Sequence, residues 1–92
     1  MTVAETIRTK LLAAFSPAEL LVEDESRLHA GHAGSHPSGE SHFRVTIVSS
    51  VFQGLTRVER QRRVHAALAE ELQSRVHALS LRLSTPEEKL RG

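Results

Sequence analysis

Cysteine, tryptophan and tyrosine are absent from this chain of 92 residues, and only 3 phenylalanines represent the aromatic side chains. Without cysteine, the chain forms no disulfide and supplies no thiolate to a metal. Without tyrosine or tryptophan, it has few rings on which unpaired bases could stack. The length fits one domain, which we expect to span residues 1–92.

Long apolar runs are also missing, and none approaches the roughly 18 residues that a membrane-spanning helix requires. The first ten residues, MTVAETIRTK, lack the apolar region of a secretory signal. The net charge is only +1 with histidine neutral, so no strong overall field attracts nucleic acid. We therefore expect a cytoplasmic protein without membrane contact.

Sequence motifs of catalysis are absent as well. There is no cysteine nucleophile, no Gly-x-Ser-x-Gly elbow and no His-Glu-x-x-His zinc motif. A phosphate-binding P-loop and a dinucleotide-binding glycine pattern are missing too. The sequence therefore predicts a protein that is not an enzyme.

Histidine, in contrast, is frequent, with 6 copies. His29, His32 and His36 fall in a Gly/Ser/Pro-rich loop over about residues 27–40, and neutral imidazole is the commonest metal ligand in proteins. Gly34 and Pro37 argue against a helical zinc site in this loop. A half-site of two imidazoles, one from the loop and one from a strand and completed by another molecule, is easier to build than a four-ligand site.

The other three histidines have structural interpretations. His65 shares a predicted inward helix face with Val58 and is expected at the edge of the core. His42 begins a strand and is expected to point away from Phe43. His77 opens an apolar strand, where partial burial is the simpler expectation for a single histidine.

Hydrophobic spacing and capping patterns predict the order α-β-β-α-β-α. The predicted elements are a helix from Val3 to Phe15, strands over Leu20–Glu25, Ser41–Val51 and Val76–Leu83, a helix from Thr56 to about Gln73, and a short helix starting at Thr85-Pro86. Two strands joined by a loop predict a hairpin. The sequence therefore predicts an α+β domain with helices packed on one face of a three-stranded sheet.

Basic residues crowd the start of the long predicted helix, at Arg57, Arg60, Arg62 and Arg63. They could contact phosphates or an acidic partner, or they could form a solvated helix face. Gly31 and Gly34 also match the Gly-x-x-Gly pattern of KH domains, although here the pattern lies in a predicted hairpin loop rather than between two helices.

Several sequence blocks, taken together in order and spacing, resemble the BolA family. They are Asp24-Glu25-Ser26 followed by His29, ESHFRV over 40–45, FQG over 52–54, LAEEL over 68–72 and VHALSL over 76–81. The resemblance extends from the first helix to Pro86. It implies a class II KH-like fold, in agreement with the element order predicted above.

The resemblance also implies a partner, a monothiol glutaredoxin of the CGFS type, with which such proteins share a [2Fe-2S] cluster. The glutaredoxin and glutathione would supply the thiolates, and this chain would supply His77 and a loop histidine. By position the loop ligand is His29, with His32 as the alternative, because this loop is longer than usual and adds His32 and His36. Two imidazoles on one iron resemble Rieske ligation, which raises the reduction potential.

Two other functions stay open at this point. The family includes regulators of stress and morphology genes, so a small DNA-binding transcriptional regulator using the Arg57–Arg63 region is the main alternative. Simple divalent-metal binding by the histidine-rich loop, without a glutaredoxin, is the third.

Overall fold

The computed structural model describes residues 2–25 and 42–91. The predicted hairpin loop over 27–40 lies outside the described residues. So do the candidate ligands His29, His32 and His36 and the pair Gly31 and Gly34.

The described elements follow the predicted α+β order. They are α1 (Val3–Phe15), β1 (Glu19–Asp24), β2 (His42–Val48), a 3₁₀ helix (Ser50–Phe52), α2 (Arg57–Ala67), α3 (Ala69–Ser74), β3 (Ala78–Ser84) and α4 (Pro86–Arg91).

The three strands form one mixed sheet in the order β1-β2-β3. β1 runs antiparallel to β2, with Leu21 opposite Thr46, which confirms the predicted hairpin. β3 runs parallel to β2, with Leu81 opposite Val45, and α2 and α3 form the crossover between them. β2 is therefore the central strand.

Alternation along β2 determines which face of the sheet is buried. Phe43, Val45 and Ile47 are at most 1% exposed, whereas Arg44 on the opposite face is exposed. The three buried side chains belong to one core with residues of α1, the 3₁₀ helix, α2 and the chain just before β3: Ile7, Leu11, Phe15, Phe52, Val64, Leu68 and Val76. In the sequence, Arg44 and Thr46 alternate with these three apolar residues, and this alternation predicts the apolar face that the structure confirms.

Three of the four described α-helices begin with the same capping motif. Thr2, Thr56 and Thr85 each accept a hydrogen bond from the backbone N–H three residues later, and the glutamate at that position accepts from the threonine N–H. This reciprocal capping box satisfies N–H groups that have no partner within the helix. The predicted starts of these helices are confirmed.

The long predicted helix from Thr56 to Gln73 is wrong in two respects. It is two helices, because Leu68 (φ −108°, ψ 21°) leaves helical geometry between α2 and α3. Its buried face contains Val64 and Leu68, whereas Val58 and His65 are exposed. At 100° per residue, Val58 lies about 120° away from Val64, so the two cannot share a narrow stripe.

The second predicted strand is too long, because β2 ends at Val48 and a 3₁₀ helix replaces its last residues. Ser49 explains the change of direction, since its hydroxyl accepts from Val51 N–H at 3.2 Å and donates to the Phe15 carbonyl at 2.7 Å. The other two strands start or end within two residues of the prediction. Within the described ranges, no helix is long and apolar enough to cross a membrane.

Candidate functional site

The end of β1 and the starts of β2 and β3 meet at one edge of the sheet. Glu25 N–H donates to the His42 carbonyl at 2.7 Å, and the Glu25 carboxylate lies 3.3 Å from the Arg44 guanidinium. His42 is in register with Ala78. His77, which directly precedes Ala78, therefore stands at the edge where the chain leaves at Glu25 and returns at His42.

His77 is held in place through its backbone neighbours. On one side, Val76 is 4% exposed and its N–H donates to the Glu71 carbonyl at 2.8 Å. On the other side, Ala78 belongs to the β2–β3 ladder. His77 itself is exposed, so the expectation of a partly buried histidine is wrong. A rigid backbone with an exposed imidazole suits a ligand that must meet another molecule.

Chain length limits where His29 can lie relative to His77. His29 is four residues after Glu25 (29 − 25), and four residues span at most about 14 Å. Two interstrand spacings, about 10 Å, separate the end of β1 from the start of β3. The tether therefore allows His29 to reach His77, and the longer tethers of His32 and His36 allow the same.

Residues 2–25 and 42–91 bring no three histidine or acidic side chains together in a group that could hold a metal. His77, whose imidazole is exposed at this edge of the sheet, is the predicted ligand within the described residues. A metal site here therefore needs further donors from residues 26–41 or from another molecule. Because the chain has no cysteine, its own donors at such a site would be imidazoles, and any thiolate would come from another molecule.

Arg60 differs from the other arginines of its helix. Its guanidinium forms a bidentate pair with Glu88 at 2.7 and 2.9 Å, and its Nε donates to the Leu55 carbonyl at 3.1 Å. The Arg60 side chain is only 12% exposed and lies 5.9 Å above the centre of the Phe52 ring. Arg60 is thus engaged in holding α4 against α2, which leaves little of it for a phosphate.

Arg57, Arg62 and Arg63 are exposed and form no salt bridge with other described residues. Glu59 lies on the same helix and interacts electrostatically with Arg62 and Arg63. Hydrogen bonds from Thr56 lower its pKa, and the charges of Arg63 and Arg62 lower it further. These three cations remain available to an anionic ligand.

A depression of about 420 Å³ lies between α2, β3 and α4. Its lining includes Arg57, Arg60, Arg82 and Glu88. The Thr85-Pro86 pattern predicts the start of the last helix, where the structure shows that Glu88 completes a capping box with Thr85. No local pattern indicates its contact with Arg60, which joins residues 28 positions apart.

The chain is similar to known proteins over almost all of its length. The BolA family model, described as BolA-like protein, matches residues 11–88. Human BolA-like protein 1 is 52% identical over 84 residues, which cover 91% of this chain but 58% of the human protein. The DNA-binding transcriptional regulator BolA of Haemophilus influenzae is 42% identical over 88 residues, which cover 96% of this chain and 82% of that protein.

The solved structure of BolA1 from Arabidopsis thaliana superimposes with a TM-score of 0.85 at 44% identity and covers 96% of both chains. This likeness includes the mixed three-stranded sheet and its helices. With the family match and the element order, it leads to one conclusion: the chain belongs to the BolA family.

Proposed function

We propose that this chain is a non-enzymatic adaptor that binds a monothiol glutaredoxin and co-ligates a shared [2Fe-2S] cluster, in iron–sulfur trafficking or in iron or redox signalling. His77 is the strand ligand and His29 the loop ligand, with His32 as the alternative. The observation that carries the proposal is the exposed His77 on a fixed backbone, at the edge where the segment with His29 leaves and returns.

The chain itself contributes the position of the His77 backbone and an imidazole that must be neutral to bind. Val76 and Ala78 hold the backbone on either side of His77, so the partner meets an imidazole whose attachment is already fixed. Imidazole binds iron only when neutral, so binding weakens as the pH falls. When bound, a cluster with two histidines on one iron supplies a higher reduction potential than an all-thiolate cluster.

Reconstitution with a monothiol glutaredoxin, glutathione, iron and sulfide tests the proposal through the visible spectrum. We expect a spectrum that differs from that of the glutaredoxin alone, and we expect His77→Ala to abolish the difference. His29→Ala should also abolish the difference. If the loop ligand is instead His32, His32→Ala should abolish it. His65→Ala is the matched control, because His65 is exposed on α2. A spectrum equal to that of the glutaredoxin alone, unaffected by any substitution, would refute the proposal.

A second candidate is DNA binding through α2. It is supported by the exposed Arg57, Arg62 and Arg63 and by the similarity to the Haemophilus influenzae relative, which is named as a DNA-binding transcriptional regulator. Each phosphate contact contributes about 0.9 to the slope of log affinity against log salt. Replacing Arg62 and Arg63 with alanine should therefore lower that slope by up to about 1.8. An unchanged slope would count against this function.

A further inference from the structure

The strand β3 has a free edge in the part of the chain that the structure describes. The sheet order is β1-β2-β3, so β3 pairs on one side with β2 and with no described strand on the other. The Ser84 carbonyl faces β2, because it accepts from Ser49 N–H at 2.9 Å. The Leu83 carbonyl faces the opposite side, where it accepts a hydrogen bond from the Arg60 guanidinium at 3.5 Å.

Successive residues of a strand direct their backbone groups to opposite sides. Leu79 and Leu81 therefore direct their N–H and C=O groups to the same free side as Leu83. At Leu79 and Leu81 these groups have no partner among the described residues, whereas at Leu83 the carbonyl is engaged by Arg60. Unpaired groups at the edge of a strand of 7 residues are a template for another strand.

Side-chain burial supports the same view of this edge. Leu79, Leu81 and Leu83 are in register with Phe43, Val45 and Ile47 of β2. The β2 side chains are at most 1% exposed, whereas the three leucines remain only partly buried. They are packed against the core but lack the cover that a further strand would give. A strand added here would bury apolar surface as well as form hydrogen bonds.

Charge at one end of the edge indicates the chemistry of the added strand. The depression beside Leu83 is lined by Arg57, Arg60 and Arg82, and Glu88 is the single acidic residue of its lining. Glu88 is already paired with Arg60, whereas Arg57 and Arg82 form no salt bridge with described residues. Two arginines beside an apolar edge complement carboxylates.

We infer that the free edge of β3 binds an extended segment of a partner protein as an added strand, with acidic residues of that segment seated between Arg57 and Arg82. The segment alternates apolar and polar residues, so that its apolar side chains cover the three leucines. This interaction does not require the cluster or His77, and its test therefore uses the protein without iron or glutaredoxin.

Two fluorescent probe peptides as long as β3 test the inference. Each alternates valine and threonine, and each carries a pair of aspartates, at the amino end in one and at the carboxyl end in the other. The two versions cover parallel and antiparallel pairing. We expect one of them to bind and to slow hydrogen exchange at the Leu79 and Leu81 amides, followed by NMR. A probe with lysines in place of the aspartates should bind at least tenfold more weakly.

Two matched sets of variants separate the edge from general charge. Arg57→Gln with Arg82→Gln should weaken binding of the acidic probe at least tenfold. Arg62→Gln with Arg75→Gln makes the same charge change at exposed arginines outside the depression and should leave binding within about twofold. Equal weakening by both pairs would overturn the inference.

N-methylation of the probe tests the strand pairing without altering the protein. Methyl groups on the alternate residues that face β3 remove the pairing N–H groups, whereas methyl groups on the other alternate set do not. We expect only one of the two methylated probes to bind. Equal binding of both, or no protection of the edge amides, would overturn the inference. Protection in the free protein that grows with concentration would instead identify a second copy of this chain as the occupant.

Discussion

Arg60 and Glu88, 28 residues apart in the chain, form a bidentate ion pair of 2.7 and 2.9 Å that fastens α4 to α2. The same glutamate caps α4 by accepting from Thr85 N–H at 2.9 Å. α4 contributes no buried side chain. Its position therefore depends on polar contacts, of which this pair and the pair of Lys89 with Glu19 are two.

The Arg60–Glu88 pair predicts a specific dependence of stability on pH. Hydrogen bonds from Arg60 and then from Thr85 lower the pKa of Glu88 from 4.5 to about 2. Because the folded-state pKa lies below the unfolded-state value, the contribution is complete above about pH 4.5 and is lost as the pH falls towards 2. Urea unfolding at a series of pH values should show this loss in the parent chain and a flatter profile in Glu88→Gln.

Glu87→Gln is the control for this measurement, because Glu87 lies on the same helix and its side chain is 66% exposed. It should retain the pH dependence of the parent. The Glu88 side chain is 45% exposed, so high salt should reduce the difference between the parent and Glu88→Gln. Identical profiles for the parent and Glu88→Gln would contradict the assigned role.

Replacing Ser49 should lower the free energy of unfolding by more than the small size of its side chain suggests. Ser49 is 1% exposed, and its hydroxyl donates to the Phe15 carbonyl at 2.7 Å and accepts from Val51 N–H. Ser49→Ala leaves these groups without that partner, so the free energy of unfolding should fall by about 1–3 kcal/mol. Ser50→Ala, at an exposed neighbour, should stay within about 0.5 kcal/mol by chemical denaturation. Equal effects at both positions would count against the buried bridge.

Ser16 offers a route to a more stable protein. It follows α1 in the left-handed conformation, with φ 42° and ψ 54°, which glycine adopts without steric cost. Ser16→Gly should raise the free energy of unfolding by up to about 1 kcal/mol, whereas Ser16→Val should lower it. Thermal unfolding of the two variants measures the difference, and the opposite ranking would refute the explanation.

Lys10 and Glu71 join α1 to α3. Lys10 Nζ lies 3.0 and 2.8 Å from the two carboxylate oxygens of Glu71, whose side chain is 11% exposed. Glu70 lies 3.8 Å from the same nitrogen but is 88% exposed. Glu71→Gln should therefore lower the thermal midpoint several times more than Glu70→Gln, because water screens the exposed pair. Equal shifts would show that burial does not strengthen the contact.

Local patterns predicted much of the fold. Period-two alternation identified the buried face of β2, and the threonine–glutamate spacing identified the starts of α1 and α2. The misplaced stripe on α2 has a physical cause. The position one turn before Val64 is occupied by Arg60, a partly buried cation, so the apolar pattern favoured Val58 instead.

The break at Leu68 and the contact between Arg60 and Glu88 also escaped prediction. Neither glycine nor proline marks the break at Leu68 in the sequence. The non-helical geometry of Leu68 instead goes with the packing of α3, in which Glu71 contacts Lys10. For the candidate site, the family resemblance predicts His77 as a strand-start ligand, which stays a prediction, and sequence reasoning did not predict the exposure of this side chain. The sequence analysis placed Arg60 with Arg57, Arg62 and Arg63 as a candidate phosphate contact, because helical spacing does not show which arginine has a distant partner.

The central position of β2 has a consequence for the order in which the chain assembles. β1 and β3 each pair only with β2 among the described strands, and β3 joins it in parallel after the α2–α3 crossover. Closing this crossover costs chain entropy before the pairing offsets it. We therefore expect Val45→Ala to slow refolding, whereas loss of the late-docking α4 contacts should mainly accelerate unfolding. Stopped-flow refolding and unfolding rates would separate an early central strand from a helix that closes the structure last.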